Sequence, residues 1–275
     1  MDNKMTIAFI GFDGYSDMWD DCMGLFHRFW KDCPYRVIFV NNEKDVSFEG
    51  VEVLHAGKDA EWSRKVQAAI DATNTPYICL LLEDFLVGKE INTETVKEVV
   101  NLIEENNIRY YKLVNMNRAV RNRDPLYKNI RGLHVIPESD EYGVSLQAAI
   151  WEKKYLLELV GTENYNAWTF EFDRVHEAKG LGDEPKIGCV FDDRNILELK
   201  HGVMQSKYLP STIKYFDGIG IKLNVSRPVM TYRNYYRIRL QSKIKYSLPR
   251  GTREYLKKIM ERFGYKFVST VRDQK

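Results

Sequence analysis

The sequence has few cysteines and no long apolar run. The four cysteines, Cys22, Cys33, Cys79 and Cys189, form no CxxC pair, which disfavours a structural zinc site. No stretch approaches the ~20 apolar residues that span a bilayer. The first residues lack the apolar stretch of a signal peptide. We therefore expect a cytoplasmic protein, with the inner face of the cell membrane as the alternative location.

Several catalytic motifs are also missing. The sequence contains no GxGxxG fingerprint, no GxxxxGK[ST] phosphate loop and no GxSxG elbow, which disfavours dinucleotide binding, P-loop chemistry and serine hydrolysis. Base-specific nucleic-acid motifs are absent as well. We do not expect nucleic acid as a partner.

Composition indicates a sizeable core and an uneven distribution of charge. The chain is 44% hydrophobic and 13% aromatic, with a net charge of only +2. Residues 227–275 nevertheless carry fourteen Lys and Arg against three Asp and Glu. A strongly basic end suggests an anionic partner, either a membrane or a polyanion. We predict a main domain over residues 1–225 and a basic extension over residues 226–275.

Up to about residue 114, strand-like and helix-like segments alternate, which predicts an α/β fold with a mainly parallel sheet flanked by helices. The expected strands cover residues 6–10, 36–40, 51–54, 77–82 and 110–114. The expected helices cover residues 18–30, 61–72 and 92–105. Spacing of apolar residues at three and four positions supports each helix.

The regular alternation then fails. Residues 115–140 are rich in Arg, Asn, Pro and Asp, and we expect a long excursion over the sheet. A helix is expected near residues 151–160 and another over 167–179, which Gly180 ends. Late strands are expected over residues 186–191 and 196–199.

An uninterrupted apolar run, residues 77–82, ends in Glu83, Asp84 and Phe85. A run that is apolar at every position is typical of a strand covered on both faces. Sheets of this kind bind ligands at the carboxyl ends of their strands. Two acids there could hold a divalent cation against a phosphorylated substrate. The alternative is a solvated turn or a cap of the next helix.

The loop after the first strand, residues 12–16, is a second candidate. Its small residues allow a ligand to approach the backbone, and Phe12 or Tyr15 could stack on a nucleobase. The alternative is a tight turn with a helix cap.

The start of the 167–179 helix is a third candidate, and His201 is a fourth. Trp168 could pack on a sugar ring while Glu171, with Asp173 close behind, accepts a hydroxyl proton as general base. Alternatively, Glu171 is an acid that favours the helix dipole, beside core aromatics. His201 could complete a metal site, although a single histidine is often structural.

Taken together, these segments resemble a group of bacterial glycosyltransferases of the GT-A type, found in clusters that build surface polysaccharide. The resemblance covers roughly residues 5–205 and rests on the order and spacing of its pieces. These are the first strand and its aromatic-rich helix ending in Phe29-Trp30 and Cys33-Pro34-Tyr35, then Glu61-Trp62-Ser63-Arg64, residues 80–85, Ser145-Leu146-Gln147-Ala148-Ala149-Ile150-Trp151, and Trp168-Thr169-Phe170-Glu171.

The resemblance implies a GT-A-like (Rossmann-like) mixed sheet with a nucleotide-sugar donor over the carboxyl ends of its first strands. Glu171 would be the catalytic base, and Asp84, in the acidic motif, would act with a Mn or Mg ion. The motif reads Glu-Asp-Phe here, not Asp-x-Asp, which leaves the metal coordination open. The implied donor-binding residues are Phe12, Asp13, Asn41, Trp62, Arg64, Glu83 and Gln147. The expected acceptor-binding residues are Trp168 and Asp173, and the expected metal ligands are Asp84, Glu83 and His201.

The sequence therefore predicts a glycosyltransferase that moves a sugar from a nucleotide-sugar donor to a glycan or lipid-linked saccharide, metal-assisted and inverting. One alternative is a non-catalytic nucleotide- or glycan-binding subunit of a polysaccharide assembly system. Another is a polyanion-binding protein that uses the basic end.

A further amphipathic helix is expected from Thr252 to about Gly264. Its apolar positions fall on one stripe and basic residues surround them. Such a helix can lie on anionic lipid, where lipid-linked acceptors are found. The alternative is a packing helix with solvated cations.

Overall fold

The computed structural model describes residues 2–114, 125–247 and 259. The chain divides into two compact units, Met1–Gly202 and Val203–Lys275. The boundary that we place at residues 225 and 226 from the sequence stays a prediction. Within the described part of the chain, every helix is too short or too polar to cross a membrane.

The first unit contains ten strands, five α-helices and two short 3-10 helices among its described residues. The strands are β1 (Asp2–Ile10), β2 (Tyr35–Asn41), β3 (Val51–His55), β4 (Tyr77–Leu82), β5 (Phe85–Val87), β6 (Tyr110–Lys112), β7 (Leu133–Pro137), β8 (Ala149–Glu152), β9 (Pro185–Asp192) and β10 (Leu199–His201). The α-helices are α1 (Trp19–Phe29), α2 (Trp62–Ala72), α3 (Thr93–Glu105), α4 (Lys153–Val160) and α5 (Ala167–Glu177). The 3-10 helices are Asp13–Met18 and Tyr127–Asn129.

Eight of these strands form one sheet in the order β3-β2-β1-β4-β8-β6-β9-β7. Neighbours from β3 to β4 pair in parallel, and so do β6 and β9. Strand β8 is antiparallel to both of its neighbours, and β7 is antiparallel to β9. Six strands therefore run one way and two the other. The predicted α/β class, with a mixed and mainly parallel sheet flanked by helices, is confirmed.

Helices cover both faces of the sheet because the central strands are apolar on both sides. On one face, Phe9 packs edge-on against Phe26 of α1, with ring centroids 5.2 Å apart. On the other, Ile10 and Ile78 join a buried cluster that includes Val66 of α2 and Leu156 of α4. This double cover leaves the two ends of the sheet, and not its faces, open to a ligand.

The helix expected near residues 151–160 begins later than predicted. Ala149, Ile150 and Trp151 form β8, and α4 begins at Lys153. The prediction was wrong for Trp151 because tertiary pairing decides the conformation. Its backbone pairs with Ile78 on one side and Tyr110 on the other.

The expected excursion over residues 115–140 is only partly correct. Residues 115–124 lie outside the described residues, but Leu133–Pro137 is a strand that pairs antiparallel with β9. The late strand is also shifted. It covers Leu199–His201 and pairs with Phe85–Val87, so residues 196–198 lie before it.

The second unit contains the short hairpin of β11 (Val203–Met204) and β12 (Lys207–Tyr208), followed by α6 (Pro210–Gly218) and α7 (Tyr232–Ser247). Sequence patterns did not predict α7. The expected helix from Thr252 to Gly264 lies outside the described residues, apart from residue 259, which is helical.

Candidate active site

Three neighbouring strands deliver their last residues to one edge of the sheet. Ile10, at the end of β1, is in register with Val40 of β2 and with Leu82, the last residue of β4. Because parallel strands end at the same edge, the segments after them meet there. Glu83 and Asp84 follow Leu82 directly, as the sequence predicted.

Asp13 holds the loop after β2 in place. Its Oδ1 accepts a hydrogen bond from the backbone N–H of Asn42 at 3.0 Å. Its Oδ2 accepts from the N–H groups of Glu43 and Lys44 at 3.0 and 2.9 Å. A carboxylate with three backbone donors is fixed in position, and so is the loop that supplies them. Whether Asp13 also contacts a donor stays a prediction.

Asn41 and Asn42 extend this scaffold. The buried Asn41 side chain donates to the Lys44 carbonyl at 2.7 Å and pairs through Oδ1 with Nδ1 of His55 at 2.7 Å. The Asn42 amide nitrogen donates to three backbone carbonyls between residues 57 and 60. The nitrogen and the oxygen of the Asn41 side-chain amide both have hydrogen-bond partners inside the protein. The predicted contact with base or ribose would therefore be made by residues around Asn41 and not by this amide.

Lys65 is the residue of this edge that sequence reasoning missed. It lies on α2 and is only 3% exposed. Its ammonium donates to Asn42 Oδ1 at 3.1 Å and lies 5.2 Å from the centroid of the Phe12 ring. Burial lowers the pKa of Lys65, and the charges of Glu83 and Asp13 oppose that shift. A buried cation thus lies beneath an aromatic ring that is itself half exposed.

Glu83 interacts electrostatically with this cation. Burial, and secondly the charge of Asp84, raise the pKa of Glu83 from its usual 4.5 to about 8. Hydrogen bonds from its own backbone N–H and that of Phe12, together with the charge of Lys65, hold the shift down. Glu83 therefore changes its charge near neutral pH, at the centre of the strand ends.

Replacing Glu83 with glutamine is expected to stabilise the protein at alkaline pH. Because the pKa of Glu83 is higher in the folded protein, its ionisation costs folding free energy, starting above about pH 4.5 and reaching its full size above about pH 8. The advantage of Glu83→Gln over the native protein should grow by about 3–5 kcal/mol between those limits. Urea unfolding at several pH values measures it.

The matched control is Glu90→Gln, because Glu90 is exposed and follows the same strand region. Its substitution should change the free energy of unfolding little, because the side chain is exposed. An advantage of Glu83→Gln that does not grow with pH would show that Glu83 is not buried in the way described.

Asp84 is the neighbour of His201. The carboxylate Oδ2 of Asp84 lies 4.0 Å from Nδ1 of His201. The backbone of the two segments is joined as well, because the N–H of Gly202 donates to the Asp84 carbonyl at 2.8 Å. The His201 ring stands edge-on to Phe85, with centroids 5.0 Å apart. The pairing of β5 with β10 therefore fixes Asp84 and His201 as neighbours.

Glu171 lies on the second turn of α5, which Asn166 caps by accepting a hydrogen bond from the N–H of Thr169. Its Oε1 accepts from the backbone N–H of Leu146 at 3.4 Å. Burial raises the pKa of Glu171, while that hydrogen bond and the charges of Lys112 and His201 lower it. His201 thus interacts with both Asp84 and Glu171, and joins the two acids that the sequence singled out separately.

The segment before β8 brings unpaired polar atoms beside Glu171. Ser145 Oγ and Gln147 Oε1 are buried and have no hydrogen-bond partner in the described structure. Lys112 holds this segment by donating to the carbonyls of Tyr142 and Gly143 at 2.7 and 3.2 Å. Buried polar atoms without partners are costly, and a polar ligand would satisfy these two.

Trp168 and Asp173 lie on the same helix as Glu171 but differ in exposure. Trp168, one turn earlier, is 75% exposed, so its ring face is open to a ligand. Asp173 is half-buried and interacts electrostatically with Tyr165. Their predicted roles in acceptor binding stay predictions.

Trp62 and Arg64 are near each other in sequence but occupy different surroundings. Trp62 is 6% exposed and packs against Phe170, with ring centroids 5.0 Å apart. Arg64 is exposed and donates to Gln67 Oε1 at 3.0 Å. The structure therefore makes Trp62 part of the core beneath the site and directs Arg64 along the surface of α2.

A divalent cation would not find a complete protein cage here. Residues 2–114, 125–247 and 259 contain no group of three or more His, Cys, Asp and Glu side chains arranged to hold a metal. Asp84 and His201 could supply two ligands, while Glu83 interacts electrostatically with both Asp84 and Lys65; its predicted role as a metal ligand stays a prediction. This set fits an ion that takes its other ligands from a diphosphate and water, as Mg²⁺ commonly does.

No protein-family model and no curated protein matches the chain. Among solved structures, residues 1–349 of S. aureus TarS in complex with UDP-GlcNAc match with 13% identity and a TM-score of 0.43, over 78% of this chain and 64% of that chain. The same fragment with UDP matches with 13% identity and a TM-score of 0.41, over 69% of this chain and 60% of that chain.

A cytidylyltransferase from Leptospira borgpetersenii matches with 13% identity and a TM-score of 0.37, over 64% of this chain and 69% of that chain. This chain spans less than two thirds of the length of the TarS fragment. Similarity at this level assigns no family and no activity.

Proposed function

We propose that the protein is a GT-A-type glycosyltransferase that moves a sugar from a nucleotide-sugar donor to a saccharide or lipid-linked saccharide in bacterial surface polysaccharide synthesis. The observation that carries the proposal is the position of His201. It lies 4.0 Å from Asp84 and interacts electrostatically with Glu171. His201 thereby links Asp84, the acid that we propose for the diphosphate end, with Glu171, the base that we propose for the acceptor end.

The donor nucleotide would lie over the ends of β1, β2 and β4. Phe12 offers an exposed ring for stacking on a base, and Lys65 provides a buried cation beneath it. Asp13 and the two asparagines after β2 hold the loops that form the walls of this subsite. We assign Lys65 to the donor, because its ammonium is a buried positive charge beside the half-exposed Phe12 ring, and its hydrogen bond to Asn42 Oδ1 uses only one of the three N–H groups.

The transferred sugar and the acceptor would lie between Asp84 and Glu171. Ser145 Oγ and Gln147 Oε1 are available to sugar hydroxyl groups, and the exposed Trp168 ring can pack on a pyranose face. Glu171 removes the proton of the acceptor hydroxyl as that oxygen attacks the anomeric carbon. The bond from that carbon to the diphosphate oxygen breaks, and the diphosphate leaves with the electron pair. A single displacement of this kind inverts the anomeric configuration.

A divalent cation fits the diphosphate end. Asp84 and His201 would hold it, and when bound it would offset negative charge on the departing diphosphate. Lys65, a cation of the chain itself, contributes in the same direction. We therefore expect Mn or Mg to stimulate transfer, with a lower residual rate after chelation.

The test is a screen of nucleotide sugars for donor hydrolysis and for transfer to saccharide acceptors, with Mn, with Mg and with a chelator. Release of nucleoside diphosphate by the native protein, and its loss in Glu171→Gln and Asp84→Asn, would support the proposal. Saturable binding of a nucleotide or glycan without turnover in any combination would favour the alternative, a non-catalytic binding subunit. Binding of neither would reject both.

A further inference from the structure

Helix α7 presents a mixed aromatic and basic surface. Tyr232, Tyr236 and Leu240 are 51%, 61% and 59% exposed. They recur every four residues and therefore lie along one side of the helix. The rings of Tyr232 and Tyr236 stack with centroids 6.2 Å apart and planes 24° apart. Large side chains are thus aligned on the outside of the second unit.

Arginines flank this row. Arg233 and Arg237 follow the two tyrosines by one position, and Arg239 precedes Leu240. All three are exposed, and Arg239 Nη1 donates to the hydroxyl of Tyr235 at 3.1 Å. We call Tyr232, Arg233, Tyr236, Arg237, Arg239 and Leu240 the Tyr–Arg face of α7.

In the sequence, α7 and the residues before it carry charge of one sign. Residues 218–247 contain no Asp or Glu. The same segment contains seven basic residues, Lys222, Arg227, Arg233, Arg237, Arg239, Lys243 and Lys245. A uniform positive field of this kind attracts anionic partners and repels basic ones.

The types of side chain on the Tyr–Arg face indicate which anionic partner it binds. Tyrosine has an apolar ring and a polar hydroxyl, arginine has an apolar stem and a charged end, and both favour the boundary between lipid and water. A soluble polyanion would use the guanidinium groups but would gain nothing from an exposed leucine in the same row. We propose that the Tyr–Arg face of α7 binds the headgroup layer of a membrane that contains anionic lipid.

This interaction is separate from the proposed reaction. It places a membrane contact on α7, upstream of the helix that the sequence predicts from Thr252. It depends on neither the donor site nor Glu171. If the native protein bound a nucleotide but did not bind anionic lipid, that result would therefore count against this inference alone.

Flotation of the full-length protein with lipid vesicles tests the inference. Neutral phosphatidylcholine vesicles should leave it in solution, and vesicles that also contain phosphatidylglycerol should carry it to the top, less so at high salt. The variant Arg233→Gln/Arg237→Gln/Arg239→Gln should weaken binding to anionic vesicles about 100-fold. The variant Tyr232→Ser/Tyr236→Ser/Leu240→Ser, which keeps every charge, should weaken it about tenfold.

Two controls separate α7 from other parts of the chain. Asn234 lies on the opposite side of α7, so the variant Asn234→Ser should bind anionic vesicles like the native protein. The variant Lys257→Gln/Lys258→Gln/Arg262→Gln removes charges from the downstream segment and should retain most of the binding. Thermal unfolding and circular dichroism of each variant check that the protein is folded.

The inference is overturned if both Tyr–Arg face variants float like the native protein, or if only the downstream variant loses binding. It is also overturned if the Tyr232→Ser/Tyr236→Ser/Leu240→Ser variant is unaffected while soluble polyphosphate displaces the native protein. That pattern would identify a site for a soluble polyanion.

Discussion

Glu171→Gln is expected to lower the turnover number for sugar transfer by about 10²–10⁴-fold, the usual contribution of a positioned general base. Glutamine keeps the shape of the side chain and can still accept the hydrogen bond from the Leu146 N–H, but it cannot take up a proton. Donor affinity should change little, because Glu171 lies at the acceptor end. Steady-state kinetics for transfer and calorimetry for donor binding separate the two effects.

The pH dependence of the native enzyme provides a second readout of the same residue. Burial raises the pKa of Glu171, and only the ionised form can act as a base. The turnover number should therefore rise with pH through a pKa above the ordinary glutamate range, and this limb should disappear in Glu171→Gln.

Glu177→Gln is the matched control, because Glu177 is on the same helix with a side chain that is 52% exposed and paired with Arg174. Its rate and pH profile should remain close to those of the native protein. Comparable losses in both variants would indicate damage to α5, and full activity of Glu171→Gln would remove Glu171 from the mechanism.

The sequence predicted the frame of the site because local patterns determine it. Residues 77–82 are apolar at every position, and only a strand covered on both faces buries all of them. Residues 83 and 84 then had to emerge at the edge of the sheet. The helix expected over residues 167–179, which Gly180 ends, likewise placed Glu171 near the beginning of a helix.

What the sequence could not predict depends on contacts between distant segments. Trp151 is in a strand because partners 73 and 41 residues away in sequence, Ile78 and Tyr110, pair with it. Glu83 interacts electrostatically with Lys65, and Asp84 lies beside His201, and no local pattern contains that information. The burial of Lys65 could have been predicted from its place in the helix. Lys65 is a basic residue on the inward face of an amphipathic helix, and Val66, Ala69 and Ile70 define that face.

The contrast between Lys65 and Arg64 is the sharpest feature of the donor end. The resemblance to glycosyltransferases implies that Arg64 lies near the donor phosphates. The structure buries the neighbouring Lys65 among Asn42, Glu83 and Phe12, while Arg64 is exposed beside Gln67. There are therefore two assignments for the cation that contacts the donor phosphates, Arg64 and Lys65. Substituting each residue in turn distinguishes between them.

Lys65→Met is expected to weaken donor binding about 10–150-fold, the range for losing a hydrogen bond to a charged group. Methionine fills most of the volume of the lysine stem, so the change chiefly removes the charge. Loss of the cation also leaves Glu83 without its attractive partner, which should raise the pKa of Glu83 further. Calorimetric titration with nucleoside diphosphates and nucleotide sugars measures the affinity.

Arg64→Met and Lys154→Met complete the experiment. Lys154 is an exposed residue of α4, and its substitution removes one positive charge at a distance from the strand ends. If Lys65 contacts the donor, affinity should fall in Lys65→Met far more than in Lys154→Met. If Arg64→Met produces the large loss and Lys65→Met does not, the phosphates lie along the surface of α2, and Lys65 serves only to balance the charge of Glu83.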